Sequence, residues 1–241
     1  MGEAGPLDLD EVACRPVGHS FYNEAITRLA RGRLGRAQFV VSSALRTVTL
    51  QIIHYPHPTL NYKSKPVKRV DAELRGMIAE MFDLMYAARG IGLAANQVGI
   101  PLRFFVMNLA GAKGEGEELV FINPTISRTT GADEAEEGCL SLPGVYGPVL
   151  RPAEVLFSAY MPNGEKFEQK VSGMFARCVQ HETDHLDGIM FIERMDDDSL
   201  YQIQPEVDQF ELTFERLRSE GKLPTDQEIT AFQNDIEAKY A

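Results

Sequence analysis

Three cysteines are too few, and Cys14, Cys139 and Cys178 too widely spaced, to staple a chain of 241 residues with disulfides. An odd count at such spacing points instead to a reducing compartment. Positive charge is also short, with 24 Lys and Arg against 35 Asp and Glu and a formal net charge of −11. A general nucleic-acid binder needs a basic surface for its phosphate contacts, so direct nucleic-acid binding is not expected. No apolar run approaches the roughly 20 residues of a membrane-spanning helix, so no membrane span is expected either. What is present, 44% hydrophobic and 24% charged residues, suffices for one sizeable domain with extensions.

The ends differ from the middle. No acidic residue occurs in 25–70, while Arg28, Arg31, Arg33, Arg36 and Arg46 punctuate Leu, Ala and Ser. That composition resembles a transit peptide, yet Glu3, Asp8, Asp10 and Glu11 precede it, which is unusual for a targeting signal. Residues 1–47 are therefore read as a non-native or dispensable extension of a bacterial cytoplasmic protein, with an organellar signal as the alternative.

From about residue 49 the pattern alternates strand and helix. Leu74, Ile78, Met81, Phe82 and Met85 recur at helical spacing behind Asp71, a plausible N-cap. Residues 102–109 and 119–122 read as strands around the glycine-rich run 111–116, which lacks a following helix with a phosphate-binding lysine and so reads as a hairpin turn. Residues 149–160 and 166–171 suggest another pair around Pro162-Asn163-Gly164. Past Met195 two helical stripes follow, one through Val207, Phe210, Phe214 and Leu217. The other, through Ile229, Phe232, Ile236 and Tyr240, opens on a capping-box sequence at Thr225 to Glu228. Packing onto the core is the commoner use of such stripes; self-association or contact with the ribosome near the exit tunnel is the alternative.

The densest chemistry lies in Gln180-His181-Glu182-Thr183-Asp184-His185. Histidines at i and i+4 of a helix stand one turn apart, about 5–6 Å between Cβ atoms, and can share one divalent ion at about 2.0–2.1 Å from each ring nitrogen. Glu182 lies about 100° around the helix from His181, out of the coordination plane but within reach of a water on the ion's open position. The bland alternative is an exposed turn bearing two histidines. The apolar flanks Phe175, Val179, Leu186, Ile189, Met190 and Phe191 weigh against it, because buried imidazoles and carboxylates need partners. No His follows His185, so a third ligand must lie upstream. Cys139, in Glu137-Gly138-Cys139-Leu140-Ser141, suits a borderline-soft ion; an inert buried thiol is the alternative. Asp184, on the same helix, is expected to pair with Arg151 unless each is solvated separately.

Three segments in order resemble the peptide deformylases: Gly90-Ile91-Gly92-Leu93-Ala94-Ala95-Asn96-Gln97, Glu137-Gly138-Cys139-Leu140-Ser141 and Gln180-His181-Glu182-Thr183-Asp184-His185. Tyr55-Pro56-His57-Pro58-Thr59-Leu60 adds a fourth match, although Asn61 stands where the family often has Arg. The resemblance implies an α+β fold in which antiparallel strands pack around a central helix carrying the metal-binding motif. It implies a catalytic domain over 48–195; the two stripes beyond it are read as a helical extension over 196–241.

The resemblance further implies that Cys139, His181 and His185 hold one divalent ion, Fe(II) in the first place with Zn(II) or Ni(II) as substitutes. Glu182 becomes the general acid/base. The side-chain amide of Gln97 and the backbone N–H of Leu140 hold the developing oxyanion. The backbones of Ile91, Gly92 and Gly138 pair with an extended substrate. Ile91, Met174 and Cys178 line an apolar methionine pocket, or else are ordinary core, and Arg177 is expected at its rim. The implied reaction removes the N-formyl group from the initiator methionine of nascent polypeptides, releasing formate. Two alternatives stand beside it: a zinc endopeptidase, and an inactive metal-binding module associated with the ribosome. His54 and His57, in a proline-rich entry, are expected to be structural or exposed rather than ligands.

Overall fold

The computed structural model describes residues 50–241; the extension 1–47 lies outside them. The helix over 70–88 forms as α1, Ala72–Ala87, with the Asp71 carboxylate accepting from Leu74 N at 3.0 Å as its N-cap. The motif sits on α2, Gly173–Leu186. The two C-terminal stripes are α3, Asp197–Ser219, and α4, Asp226–Tyr240, the latter closed by the Thr225 and Glu228 capping box.

Seven strands accompany the helices. A five-stranded antiparallel sheet runs in the order β1-β2-β3-β6-β7, built from Gly92–Ala94, Phe104–Met107, Leu119–Thr130, Glu154–Tyr160 and Lys166–Ser172. The glycine-rich run joins β2 to β3, and β6 pairs with β7 around Pro162-Asn163-Gly164. A separate two-stranded hairpin joins β4, Asp133–Cys139, to β5, Leu142–Arg151. This hairpin corrects the strand expected to begin at residue 149: residues 149–151 end β5, and β6 starts only at Glu154.

Helix α2 is held between the two sheets because its faces differ in chemistry. Phe175, Cys178, Val179 and Leu186 follow the i, i+3, i+4, i+11 rows of one stripe and pack on the five-stranded sheet with Phe105, Phe121 and Phe157. Ring centroids of Phe121 and Phe157 stand 4.9 Å apart at 84°, an edge-to-face geometry. The opposite face, carrying Arg177, His181 and Asp184, turns to the hairpin.

The hairpin is backed by its own apolar cluster, in which Val145 and Val149 meet Phe191, Ile192 and Val207 of α3. The C-terminal stripes thus serve packing. Ile236 and Tyr240 of α4 join the core beneath α1, and α3 lays Phe210 and Phe214 edge-on against His54 and His57. His57 is buried and its Nδ1 accepts from Thr59 N at 3.2 Å. Desolvation lowers both of these histidines, His57 to about 4; His57 is buried and structural and His54 is exposed, the two outcomes their sequence context allows.

Candidate metal centre

Cys139 ends β4 where the register slips: Gly138 faces Tyr146, but Cys139 faces Leu142. Such a bulge re-aims a side chain, and here it turns the sulfur toward α2. Cys139 Sγ stands 3.2 Å from His185 Nε2, which stands 3.2 Å from His181 Nε2, and the three donor atoms all lie within 4.8 Å of one another. A tetrahedral ion with metal–nitrogen bonds of about 2.05 Å separates two ligand nitrogens by about 3.3 Å. The pair of imidazoles therefore fits one ion, and a thiolate with two imidazoles is a donor set for a borderline-soft divalent metal.

Glu137 holds the first imidazole. Its Oε2 lies 3.0 Å from His181 Nδ1, leaving Nε2 to face the other donors. Burial opposes charge on His181, yet hydrogen bonds with Cys139 and Glu137 raise its pKa to about 10. Burial would likewise raise Glu137, but hydrogen bonds from His181 and Arg151 prevail and hold the carboxyl well below the usual range. His185 is held well below an ordinary histidine, by burial first and then by repulsion from His181. Its backbone carbonyl accepts from Asn96 Nδ2.

Glu182 falls at the centre of the apolar stripe of α2, which explains why it is buried to 3% exposure. Burial raises its pKa to about 7 against the attraction of His181, and its Oε2 has no hydrogen-bond partner. Gly92 on β1 makes the room: a Cβ there would sit 2.3 Å from Glu182 Oε1 and 3.0 Å from Cys178 Sγ. Gln97, in the turn Ala95–Val98 after β1, accepts from Ala94 N at 2.8 Å through Oε1. Its Nε2 faces Cys139 Sγ at 3.4 Å and Ser141 Oγ at 3.2 Å. The Leu140 side chain packs on Gly90.

Cys178 is buried with its sulfur 4.0 Å from Ile91 O, whereas Met174 is 37% exposed in the first turn of α2. Gly138 lies under the Tyr146 ring, where a Cβ would meet a ring carbon at 2.5 Å. Asp184 and Arg151 do pair, at 2.8 Å. Arg177 corrects the sequence expectation. It is buried in the ion-pair network rather than lying free at a rim, giving Nη1 to Glu137 Oε1 at 2.7 Å and Nη2 to Asp133 Oδ2 at 2.8 Å. The role of Glu137 was missed from sequence, although it directly precedes the Gly-Cys pair. That of Arg177 was missed although it stands at i−4 from His181, on the same helix face.

An α+β fold with a largely buried Cys/His/His cluster and a carboxylate beside it fits the class of metallohydrolases. The polypeptide deformylase family model matches residues 49–200. A peptide deformylase of Rhodopirellula baltica is 45% identical over 191 residues, covering 79% of this chain and 95% of the relative. The chloroplastic/mitochondrial peptide deformylase 1B of Arabidopsis thaliana is 40% identical over 235 residues, covering 95% of this chain and 84% of the relative. A crystal structure of a plant peptide deformylase matches with TM-score 0.69 and 39% identity, covering 77% of this chain and 99% of that one.

The chain belongs to the polypeptide deformylase family. It is an enzyme of N-terminal protein processing that removes the formyl group from the initiator methionine of nascent polypeptides. Membership decides against an endopeptidase or an inactive module. Among the described residues no helix is long and apolar enough to cross a membrane.

Proposed function

We propose that Cys139, His181 and His185 hold the metal ion of this deformylase and that Glu182 moves the protons. The observation that carries this reading is the buried Glu182 carboxylate, half unpartnered, one residue from a ligand of a three-donor cluster. When bound, the ion supplies Lewis acidity and a water of lowered pKa. Fe(II) is the metal proposed, with Zn(II) or Ni(II) as functional substitutes; a soft thiolate among the donors is compatible with all three.

Glu182 takes a proton during attack on the formyl carbon and returns one to the departing methionine nitrogen. Burial raises this carboxyl above the ordinary range in the metal-free protein, and the bound ion would oppose that rise, so the group can both take and return a proton. Gln97 Nε2, already directed at the Cys139 side of the centre, and the Leu140 N–H stabilise the oxyanion. Ile91, Gly92 and Gly138 present backbone to the extended substrate. The methionine side chain enters beside Cys178 and Ile91, with Met174 at the entrance, in keeping with its exposure.

The catalytic domain is proposed over 48–195, followed by a structural extension over 196–241. The relatives include bacterial and organellar enzymes; a bacterial cytoplasmic location is proposed, and import of a reporter fused to residues 1–47 by isolated organelles would overturn it. Contact with the ribosome near the exit tunnel is the further partner proposed. The central test is formate release from formyl-Met-Ala-Ser by the metal-loaded protein. Glu182→Ala is expected to keep its metal and lose turnover; undiminished turnover would remove Glu182 from the reaction.

A further inference from the structure

The three donors of the metal centre come from two separate elements. Cys139 is carried by the β4–β5 hairpin, His181 and His185 by α2. The sulfur reaches the imidazoles only if the hairpin is held against the helix at a fixed height, and two buried guanidiniums cross that seam in opposite directions.

Arg151, on β5, reaches to Asp184 of α2 at 2.8 Å, while its Nε and Nη2 bind both oxygens of Glu137 at 2.6 and 2.9 Å. Arg177, on α2, reaches back to the hairpin. It meets Glu137 Oε1 at 2.7 Å, Val149 O at 3.0 Å, and Asp133 through both its carbonyl at 2.7 Å and its carboxylate at 2.8 Å. The Glu137 carboxylate thereby receives four bonds on two oxygens: two from Arg151, one from Arg177 and one with His181 Nδ1. A carboxylate has about four acceptor sites, so none is left over and its plane is fixed.

Resting on the metal reading above, we propose that Arg177 is a positioning residue of the metal centre: it locks the Cys139 hairpin to the histidine helix and, through Glu137, sets the ring of His181. Its four bonds touch both strands of the hairpin, including the backbone at either side of it, so its removal frees β4 and β5 together. An apolar residue in its place supplies none of these bonds. Lysine reaches Glu137 as a point charge and lacks the planar fork that serves Glu137 and Asp133 at once.

The experiment uses the full chain loaded with nickel(II) and follows metal loss into excess chelator. Partners of ligating histidines commonly change metal affinity or activity 10–100-fold. Arg177→Leu is therefore expected to speed nickel loss at least ten-fold, with Arg177→Lys between it and wild type. With cobalt(II) in place of nickel, the sulfur-to-metal absorption band of Arg177→Leu is expected to shift, and kcat to fall with KM little changed. A cooperatively folded Arg177→Leu protein that releases nickel at the wild-type rate, with an unshifted cobalt band, overturns the proposal; so does lowered thermal stability without faster release. Should Arg177→Leu fail to fold, a wild-type release rate in Arg177→Lys overturns it equally. Failure of the wild-type chain to take up nickel at all, by contrast, would overturn the metal centre itself.

Discussion

Adding one methyl group at Gly92 separates two roles that this residue could play. A Cβ there would lie 2.3 Å from Glu182 Oε1, 2.9 Å from its Cδ and 3.0 Å from Cys178 Sγ. Ordinary contact begins near 3.4 Å, so the carboxylate must withdraw by about 1 Å. It has little freedom to do so, being buried on the packed face of α2. A misplacement of about 1 Å costs on the order of 10²-fold in rate, equivalent to about 2.7 kcal/mol of transition-state stabilisation. Overpacking adds a stability cost of about 1–3 kcal/mol.

Gly92→Ala is thus expected to lower kcat about 100-fold in a coupled assay of formate release, with metal content per chain unchanged and KM moved less than three-fold. If the glycine serves chiefly to admit the substrate backbone, KM rises and kcat stays. A variant within three-fold of wild type in both constants would refute the steric argument, because it would mean that Glu182 tolerates the displacement or does not act in the reaction.

Glu182→Gln should retain metal and lose between 10² and 10⁴ of kcat, the usual share of general acid/base catalysis, measured by the same assay. In the metal-free protein Glu182 titrates at about 7 against 4.5 for the ordinary group; a carboxyl raised on folding favours the native state below the lower value and loses that advantage as pH rises to the upper one. Glu182→Gln should therefore be more stable than wild type by a few kcal/mol at pH 8 and converge with it near pH 4, read by urea unfolding with chelator present. Arg151→Ala removes two of the four bonds on buried Glu137 and one of those on half-buried Asp184, which keep Arg177, His181 and Arg194 as partners, and should cost about 1–3 kcal/mol; an unchanged unfolding midpoint would show that Arg151 does not hold the network. Cys139→Ser should abolish stable nickel binding in dialysis while leaving far-UV circular dichroism unchanged.

The helices and the cores of the longer strands were legible because their apolar residues keep one period, but the strand read over 119–122 runs on to Thr130, where its polar residues hide it. Leu74, Ile78, Met81, Phe82 and Met85 mark α1, and all five are buried. The β4–β5 hairpin was not legible. Its first strand reads Asp-Glu-Ala-Glu-Glu-Gly-Cys, with the alternation of a half-buried strand but acidic residues where apolar ones are expected. Glu137 is buried there only because Arg151, Arg177 and His181 approach from two elements distant in sequence. Spacing marked the helix of His181 and His185, and chemistry suggested the sulfur that the fold brings beside them. The seam between them is a tertiary property: neither segment states how far apart they are held. Arg177, His181 and Asp184 at i, i+4 and i+7 did declare one common face, and only the fold shows what that face meets.

The residual polar frustration of the molecule has the same address. Among the described residues the buried side-chain atoms left without a partner are on Ser64, Asn96, Glu182, Thr183 and His185. Three of these residues belong to α2, Asn96 is bonded to the carbonyl of His185, and the Ser64 N–H is bonded to Leu186 at the end of that helix. Such groups need a partner from outside the protein chain, a solvent molecule, an ion or a substrate, and a helix serving packing alone has no use for them. The apolar stripe of α2 could have carried Leu at position 182 and gained burial energy from it. Instead it carries an acid in a desolvated niche that glycine at position 92 was required to open. The unpartnered groups gather at one locus, beside the proposed ligands, and the aromatic cluster of Phe105, Phe121 and Phe157 packs the other side of the helix, which is the distribution expected when local rules yield to function at a single site.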